Sequence, residues 1–250
     1  MTSDEWKRYY EENAASLLDV PWELGSELSP DEVCAISESL KAFQAGESSE
    51  GQHLYKYAKA YAARTGDDPY VDAIRLFIAE EQRHARDLGR FLKLNGIELV
   101  RTSFTDYVFR KLRHLFAGLE MSIGVLVTAE IIAKVYYAAV REATQSAILR
   151  RICEQILRDE VMHVQFQVEQ LSVLRRHRSR VGMLSTMTAQ RFLFLGTTLV
   201  VGVLHRRAVR RGGFSFAKWW RGCWSEFSAA FSAASHNPPL HWTAAAGRSL

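Results

Sequence analysis

The chain has 250 residues, 48% of them hydrophobic, enough for one large core. Only five prolines and fifteen glycines interrupt long runs rich in Ala, Leu, Glu, Arg and Gln, which excludes a fold of many short strands and points to an all-α protein. The net charge of +4 is unevenly spread: residues 170–225 hold eleven of the 32 Lys and Arg and no Asp or Glu, so that stretch is strongly basic and the remainder mildly acidic.

Residues 1–28 lack the basic, apolar, small-residue order of a secretory signal and read as an irregular lead-in. Cys34, Cys153 and Cys223 are odd in number and widely spaced, which suits a reducing cytoplasm and leaves no disulfide framework or Cys-x-x-Cys motif. Ser29-Pro30-Asp31-Glu32 combines an N-cap, a proline at the first helical position and a glutamate three residues on, so a first helix is predicted from there to about Arg64. Thr65-Gly66-Asp67-Asp68 breaks it, and a second helix follows to about Asn95-Gly96. After a connection over 97–112 comes a third helix to about Glu142. A break at Ala143-Thr144-Gln145-Ser146 precedes a fourth helix, to about Leu174. Hairpin, long connection, hairpin is the order of a four-helix bundle with one long crossover, predicted here for residues 29–174.

Residues 175–250 form a basic, partly apolar helical extension. The apolar run Phe192–Leu204 is too short for a membrane span, which takes about twenty residues, so a buried helix packed on the bundle is expected. Lys218-Trp219-Trp220-Arg221 mixes aromatic rings with cations, as at membrane interfaces. The basic block therefore offers three readings: a solvated face, peripheral contact with an anionic membrane surface, or docking of an acidic carrier protein or phosphate-bearing substrate. No nucleic-acid-binding motif accompanies it, which ranks nucleic acid last.

The inward stripes of the four helices are apolar except at mid-height, where Glu47 and Glu50, then Glu81 and His84, then Glu130, then Glu160 and His163 interrupt them. Glutamates buried at that level cost several kcal/mol apiece unless something compensates their charge. Glu-x-x-His occurs in both Glu81-Gln82-Arg83-His84 and Glu160-Val161-Met162-His163, and this spacing sets a carboxylate and an imidazole on one helix face. Two such pairs on facing helices, with one glutamate from each remaining helix, make a site for two metal ions. The hairpins also align as an internal repeat, Thr65 on Thr144, Glu81 on Glu160 and His84 on His163, allowing one extra residue in the first turn. Thirty residues separate Glu130 from Glu160, against 31 for Glu50 to Glu81 and 34 for Glu47 to Glu81. The repeat thus prefers Glu50 as the first-helix ligand.

Glu80-Glu81-Gln82-Arg83-His84 and Asp159-Glu160-Val161-Met162-His163 resemble the E-E-x-R-H and D-E-x-R-H motifs of soluble acyl-carrier-protein desaturases and related di-iron monooxygenases. Those proteins belong to the ferritin-like di-iron carboxylate superfamily. The resemblance covers about residues 31–174 and departs at Met162, where arginine would stand. It implies that Glu81, His84, Glu130, Glu160 and His163, with Glu50, act catalytically by binding the metals. It also implies that Asp159 orients a ligand histidine on another helix. Gly46-Glu47-Ser48 resembles the first-helix ligand neighbourhood of rubrerythrins, which keeps Glu47 as the alternative to Glu50. His53, three residues after Glu50, reads as a surface residue or a group beside the ligands, and Tyr57, Tyr61, Tyr136 and Tyr137 read as core aromatics.

Four carboxylates and two imidazoles suit iron, with manganese the alternative, better than a thiolate-favouring metal. The implied activity is dioxygen activation by a di-iron oxidoreductase, of oxygenase, oxidase or desaturase type, on a partly apolar organic substrate. Small residues at Gly124, Thr128 and Ala129 leave room for an apolar channel. The sequence has no flavin motif, rubredoxin-like cysteine pairs or haem attachment site, so an external electron donor is expected. A homodimer is compatible with all of this. An iron-handling ferroxidase and a non-catalytic helical binding protein are the competing readings; some seventy-five residues beyond the fourth helix argue against a ferritin cage.

Overall fold

The computed structural model describes residues 1–48, 51–100 and 118–233. Among these residues the secondary structure is helical, with no strand: α1 (Ser3–Ala14), α2 (Pro30–Glu47), α3 (Gln52–Thr65), α4 (Asp68–Leu94), α5 (Leu119–Ala143), α6 (Ala147–Arg175), α7 (Arg180–Leu204), α8 (Arg206–Arg211) and α9 (Phe216–Ala233). The hairpin turns fall where their sequence signals place them. Gly66 takes φ +77 at the end of α3, Pro69 sits in the first turn of α4, and Ser146 caps α6 by accepting from the Leu149 N–H. Helices α5 and α6 pack along their length, α1, α2 and α3 lie against α4, and α4 meets α6. The shared interior is apolar and aromatic, with Ile36, Leu40, Leu88, Tyr136, Tyr137 and Leu149 closed off from water. Residues 101–117, which hold most of the expected crossover, lie outside the described residues.

Residues 1–28 depart from expectation, because they are ordered and carry α1. Thr2 and Glu5 form a reciprocal capping box at its start. Trp6 and Tyr10 then bury one face against Phe77 and Phe166, and Trp6 Nε1 donates to Glu169 at 2.9 Å. Further along, Glu27 accepts from Ser146 Oγ at 2.6 Å and from the Ile148 N–H, so the lead-in also secures the start of α6.

The expected first helix is two helices, α2 and α3. Gly51 stands at φ +62, a left-handed conformation suited to glycine, and a Cβ there would come within 2.6 Å of Ile78 Cδ1. The restart rotates the buried face. Leu54, Ala58 and Ala62 are inside rather than Leu54, Tyr57 and Tyr61, and each residue of offset turns a helix by about 100°.

In the C-terminal third, α7 runs 25 residues rather than thirteen, and its most apolar window has mean hydropathy 1.5. By length and composition it is long and apolar enough to cross a membrane, but so is the largely buried α5. The expectation of a fully buried helix is corrected: Gln190, Phe194, Thr198, Val201 and Gly202 face the fold, while Val181, Leu184, Phe192 and Val203 are exposed. Trp219 of α9 closes on α7 at Gly202, where a Cβ would meet the indole nitrogen at 2.5 Å, and its N–H donates to the Thr198 carbonyl.

Glu32 joins the start of α2 to the α5–α6 turn. Its carboxylate accepts from Ser29 N–H and Oγ at 2.9 and 2.7 Å, and from Thr144 Oγ1 and the Gln145 N–H at 3.0 and 2.7 Å. Burial alone would raise this carboxyl, but the hydrogen bonds from Gln145, Ser29 and Thr144 outweigh it and hold the pKa at about 2, below the ordinary 4.5. A carboxyl depressed on folding stabilises the native state fully above pH 4.5 and loses that contribution as the pH falls towards 2. Glu32→Gln is expected to lower the urea-unfolding free energy by about 1–3 kcal/mol at neutral pH. The difference from wild type should close between pH 4.5 and 2; a constant difference through that window would contradict the assignment.

Candidate metal centre

Four helices bring their polar mid-height residues to one place. Glu81 and His84 project from α4, Glu160 and His163 from α6, Glu130 from α5, and Glu47 from the last turn of α2. Ligand atoms of Glu81, Glu130, Glu160 and His163 all lie within 4.8 Å of one another, and so do those of Glu47, His84 and Glu160. The two groups share Glu160, whose side chain is fully buried. Between the two imidazoles, Glu81 Oε1 sits 3.6 Å from His84 Nδ1 and 3.0 Å from His163 Nδ1. Glu160 likewise places one oxygen 4.0 Å from His84 Nδ1 and the other 3.6 Å from His163 Nδ1. Each Glu-x-x-His therefore contributes to both halves of one centre.

A second ring of groups fixes the histidines. His84 Nε2 lies 3.0 Å from Asp159 Oδ2, and His163 Nε2 lies 2.9 Å from Glu80 Oε2. Each motif's leading acid thus holds the other motif's histidine. A carboxylate can only accept, so each Nε2 carries a proton, and in the neutral ring each Nδ1 turns its lone pair towards the centre. Both acids are held in turn. Asn13 of α1 donates to Glu80 Oε1 at 2.6 Å and to Asp159 Oδ1 at 2.8 Å, Gln155 donates to Asp159, and Arg83 pairs with Asp159 Oδ2 at 2.7 Å. Burial would raise the Asp159 carboxyl, but the hydrogen bond from His84 and the charge of Arg83 prevail and hold it below the ordinary carboxylate range. At the inner ring, Tyr137 donates to Glu47 Oε1 at 2.8 Å and Gln167 to Glu130 Oε1 at 3.1 Å.

Glu81 Oε1, both oxygens of Glu160, His84 Nδ1 and His163 Nδ1 are buried and have no hydrogen-bond partner. Buried polar atoms are almost always satisfied, so five orphans converging on one point mark a place for something that accepts electron pairs. Burial and the neighbouring Glu130 push the carboxyls of Glu81 and Glu160 well above their usual range, and burial raises Glu47 as well. Burial would lower His163, but Glu160, Glu80 and Glu81 outweigh it and raise its pKa. Four glutamates would carry four negative charges, which two divalent cations neutralise. Oxygen and nitrogen donors in this ratio fit iron or manganese.

Beside the centre lies a cavity of about 150 Å³ with a mostly apolar wall, including Phe43, Leu54, Phe77 and Leu126; Glu47, Glu81 and Glu130 form one side of it. Ala129 lines it as expected. Gly124 and Thr128 do not: Gln190 donates to the Gly124 carbonyl at 2.7 Å and to Thr128 Oγ1 at 2.8 Å, filling that space.

Glu81, His84, Glu130, Glu160 and His163 are thus brought together, Asp159 takes the orienting position, and His53 is exposed. Glu50 lies outside the described residues, and Glu47 stands in the cluster. Tyr137, read only as a core aromatic, reaches Glu47. It stands seven residues after Glu130 on the same stripe, and Gln167 stands four after His163, so both had a periodic signal. Asn13 had none beyond the Thr2-x-x-Glu5 capping box that starts its helix.

Asn13→Leu keeps a side chain of similar size and removes the amide that bridges Glu80 and Asp159. Chemical denaturation of the metal-free protein is expected to show a loss of about 2–4 kcal/mol, because two buried carboxylates each lose a donor. A change within about 0.5 kcal/mol, the scale of a surface substitution, would show that α1 does not brace the centre.

No protein-family model matches the chain, and no curated protein matches it. Among solved structures, two variants of an R2-like ligand-binding oxidase with aerobically reconstituted Mn/Fe cofactor are similar to it, with TM-scores of 0.66 and 0.67 and 16% sequence identity. In each case the match covers 93% of this chain and 93% of the other. At that identity the likeness concerns the fold, and this chain has the all-α, ferritin-like fold of those oxidases.

Proposed function

We propose that the chain is a non-haem dimetal oxidoreductase that activates dioxygen against an organic, largely apolar substrate. Glu47, Glu81, His84, Glu130, Glu160 and His163 hold two ions, iron or a mixture of iron and manganese. The observation that carries this reading is the convergence of five buried, unpartnered carboxylate and imidazole atoms on one centre. The fold shared with oxidases that carry a Mn/Fe cofactor supports it. When bound, a pair of redox-active ions supplies the electron exchange with dioxygen that no protein side chain can supply.

The chain's own contributions follow from its geometry. Glu160 belongs to both ligand groups and so spaces the two positions. Asp159 and Glu80 keep the proton on Nε2 of His84 and His163, which leaves both Nδ1 atoms free to ligate. Tyr137 holds Glu47 by one oxygen and leaves the other available. The apolar wall beside Glu47, Glu81 and Glu130 excludes water from that side of the centre and takes an apolar molecule in its place. Electrons come from an external donor, in keeping with a sequence that shows no flavin motif, rubredoxin-like cysteine pairs or haem attachment site.

Metal analysis after loading with iron and manganese separates the ligands. Wild type is expected to retain two ions per chain, and Glu160→Ala to lose both, because both groups share that residue. Glu47→Ala should retain one ion and Glu50→Ala two; the opposite pattern would return the first-helix role to Glu50. Wild type reduced without air should consume dioxygen on exposure, measured with an oxygen electrode, and Glu160→Ala should not. A Glu160→Ala variant with full metal content and full oxygen consumption would sink the proposal.

A further inference from the structure

His205 ends α7 and forms part of the wall of the same cavity that Glu47, Glu81 and Glu130 border. It is 5% exposed, and its two ring nitrogens differ sharply. Nδ1 lies 2.8 Å from Ser39 Oγ, which in turn lies 2.7 Å from Tyr136 OH. Nε2 is buried and has no hydrogen-bond partner. Phe43 packs edge-on against the imidazole, with ring centroids 5.0 Å apart, and stacks on Tyr136 at 3.5 Å, so the ring is held in place. The remainder of the cavity wall is almost wholly apolar, which makes His205 its one polar side chain away from the carboxylates.

We propose that His205 is a positioning and specificity residue, whose Nε2–H donates a hydrogen bond to an oxygen acceptor on the molecule held in the cavity. The direction of the proton follows from the chain of hydroxyls. Burial lowers the His205 pKa to about 4, so near neutral pH the ring is uncharged and carries a single N–H. If Tyr136 donates to Ser39 and Ser39 donates to Nδ1, both hydroxyl protons are used and the ring proton falls on Nε2. The reverse direction would need a further acceptor for the Tyr136 hydroxyl, and the described residues supply none. An unpartnered buried N–H disfavours a purely hydrocarbon occupant and favours one that brings a carbonyl, ether or hydroxyl oxygen.

The placement also sets a distance. Ser39, Phe43 and Glu47 follow one another at four-residue intervals along α2, so Ser39 stands about 12 Å along the helix from Glu47 at 1.5 Å per residue. The ligand class is therefore an apolar molecule whose oxygen acceptor lies at the end away from the carboxylates. The inference rests on reading the cavity as the substrate chamber of the proposed dimetal centre, and it makes a claim that metal content does not test.

The probes are 2-octanone and 2-methyl-1-octene, which have the same shape but carry C=O and C=CH2 respectively. Binding of these volatile compounds is measured by headspace partition, on metal-free and metal-loaded full-length protein. The ratio of the alkene's dissociation constant to the ketone's is expected to fall about tenfold from wild type to His205→Phe, the scale of one neutral hydrogen bond. His205→Gln, which keeps an N–H donor at a similar reach, should restore most of the ratio. Ser39→Ala, which frees the ring proton to move to Nδ1, should lower it part of the way, and this variant carries the test if His205→Phe does not fold. An unchanged ratio in the folded variants, or no binding of either probe by wild type, overturns the proposal. A wild type that holds no metal but shows the His205-dependent ratio would sink the dimetal reading alone. One that holds two ions with an unaffected ratio would sink this inference alone.

Discussion

The arrangement depends on four glutamates sharing one buried centre. Carboxylates taken out of water repel one another and lose hydration, and no arrangement of the surrounding apolar side chains returns that free energy. The chain meets the cost in two layers. The outer carboxylates, Glu80 and Asp159, are fully served by Asn13, Gln155, Arg83 and the two histidines. The inner ones are served only in part: Glu47 and Glu130 accept one bond each, from Tyr137 and Gln167, and Glu160 has no hydrogen-bond partner on either oxygen. A fold that satisfies one set of buried acids so thoroughly, beside oxygen atoms without hydrogen-bond donors, gathers at that point a donor set suited to cations.

The crossed bracing explains why the motif is written twice. Glu80 stands one turn before His84 on its own helix, within reach of it by spacing, yet its carboxylate does not pair with that histidine. It serves the histidine of the facing helix, and Asp159 returns the contact. Helices α4 and α6 are locked in register by this exchange, because a shift of one turn would break both pairs at once. Tyr10 and Phe77 then close over His163, with ring centroids 6.2 and 4.7 Å away, which ties α1 to the same register.

Much of this was legible from residue spacing. The turns at Thr65–Asp68 and Ala143–Ser146, the inward faces of α4, α5 and α6, and five of the six clustered residues follow from period and capping chemistry. The N-terminal segment was harder to read. Its composition is polar, and only Trp6, Tyr10 and Asn13 turn inwards; a helix whose role is to seal another helix pair announces itself weakly. The α2–α3 break escaped notice because glycine at position 51 looks harmless within a helical period until its φ is known. That break also bears on the choice between Glu47 and Glu50. An alignment that assumes a continuous first helix transfers the spacing of the second hairpin to a hairpin that lacks it. Tyr137 lies on the stripe, but a phenol at helical spacing looks the same whether it packs or donates, so the sequence does not distinguish its bond to Glu47 from core packing.

The two sides of the centre are chemically unlike. Towards α1 the space is filled by Asn13, Arg83, Glu80 and Asp159, a polar lattice with its hydrogen bonds already made. An apolar molecule entering there would have to break charge-assisted bonds without replacing them. Towards α2, α5 and α7 the wall is Phe43, Leu126 and Ala133, which have no such bonds to lose, and Glu47, Glu81 and Glu130 stand open at its edge. Polar bracing on one face and apolar space on the other thus divide the labour. One side holds the clustered side chains still, and the other presents an apolar surface beside them.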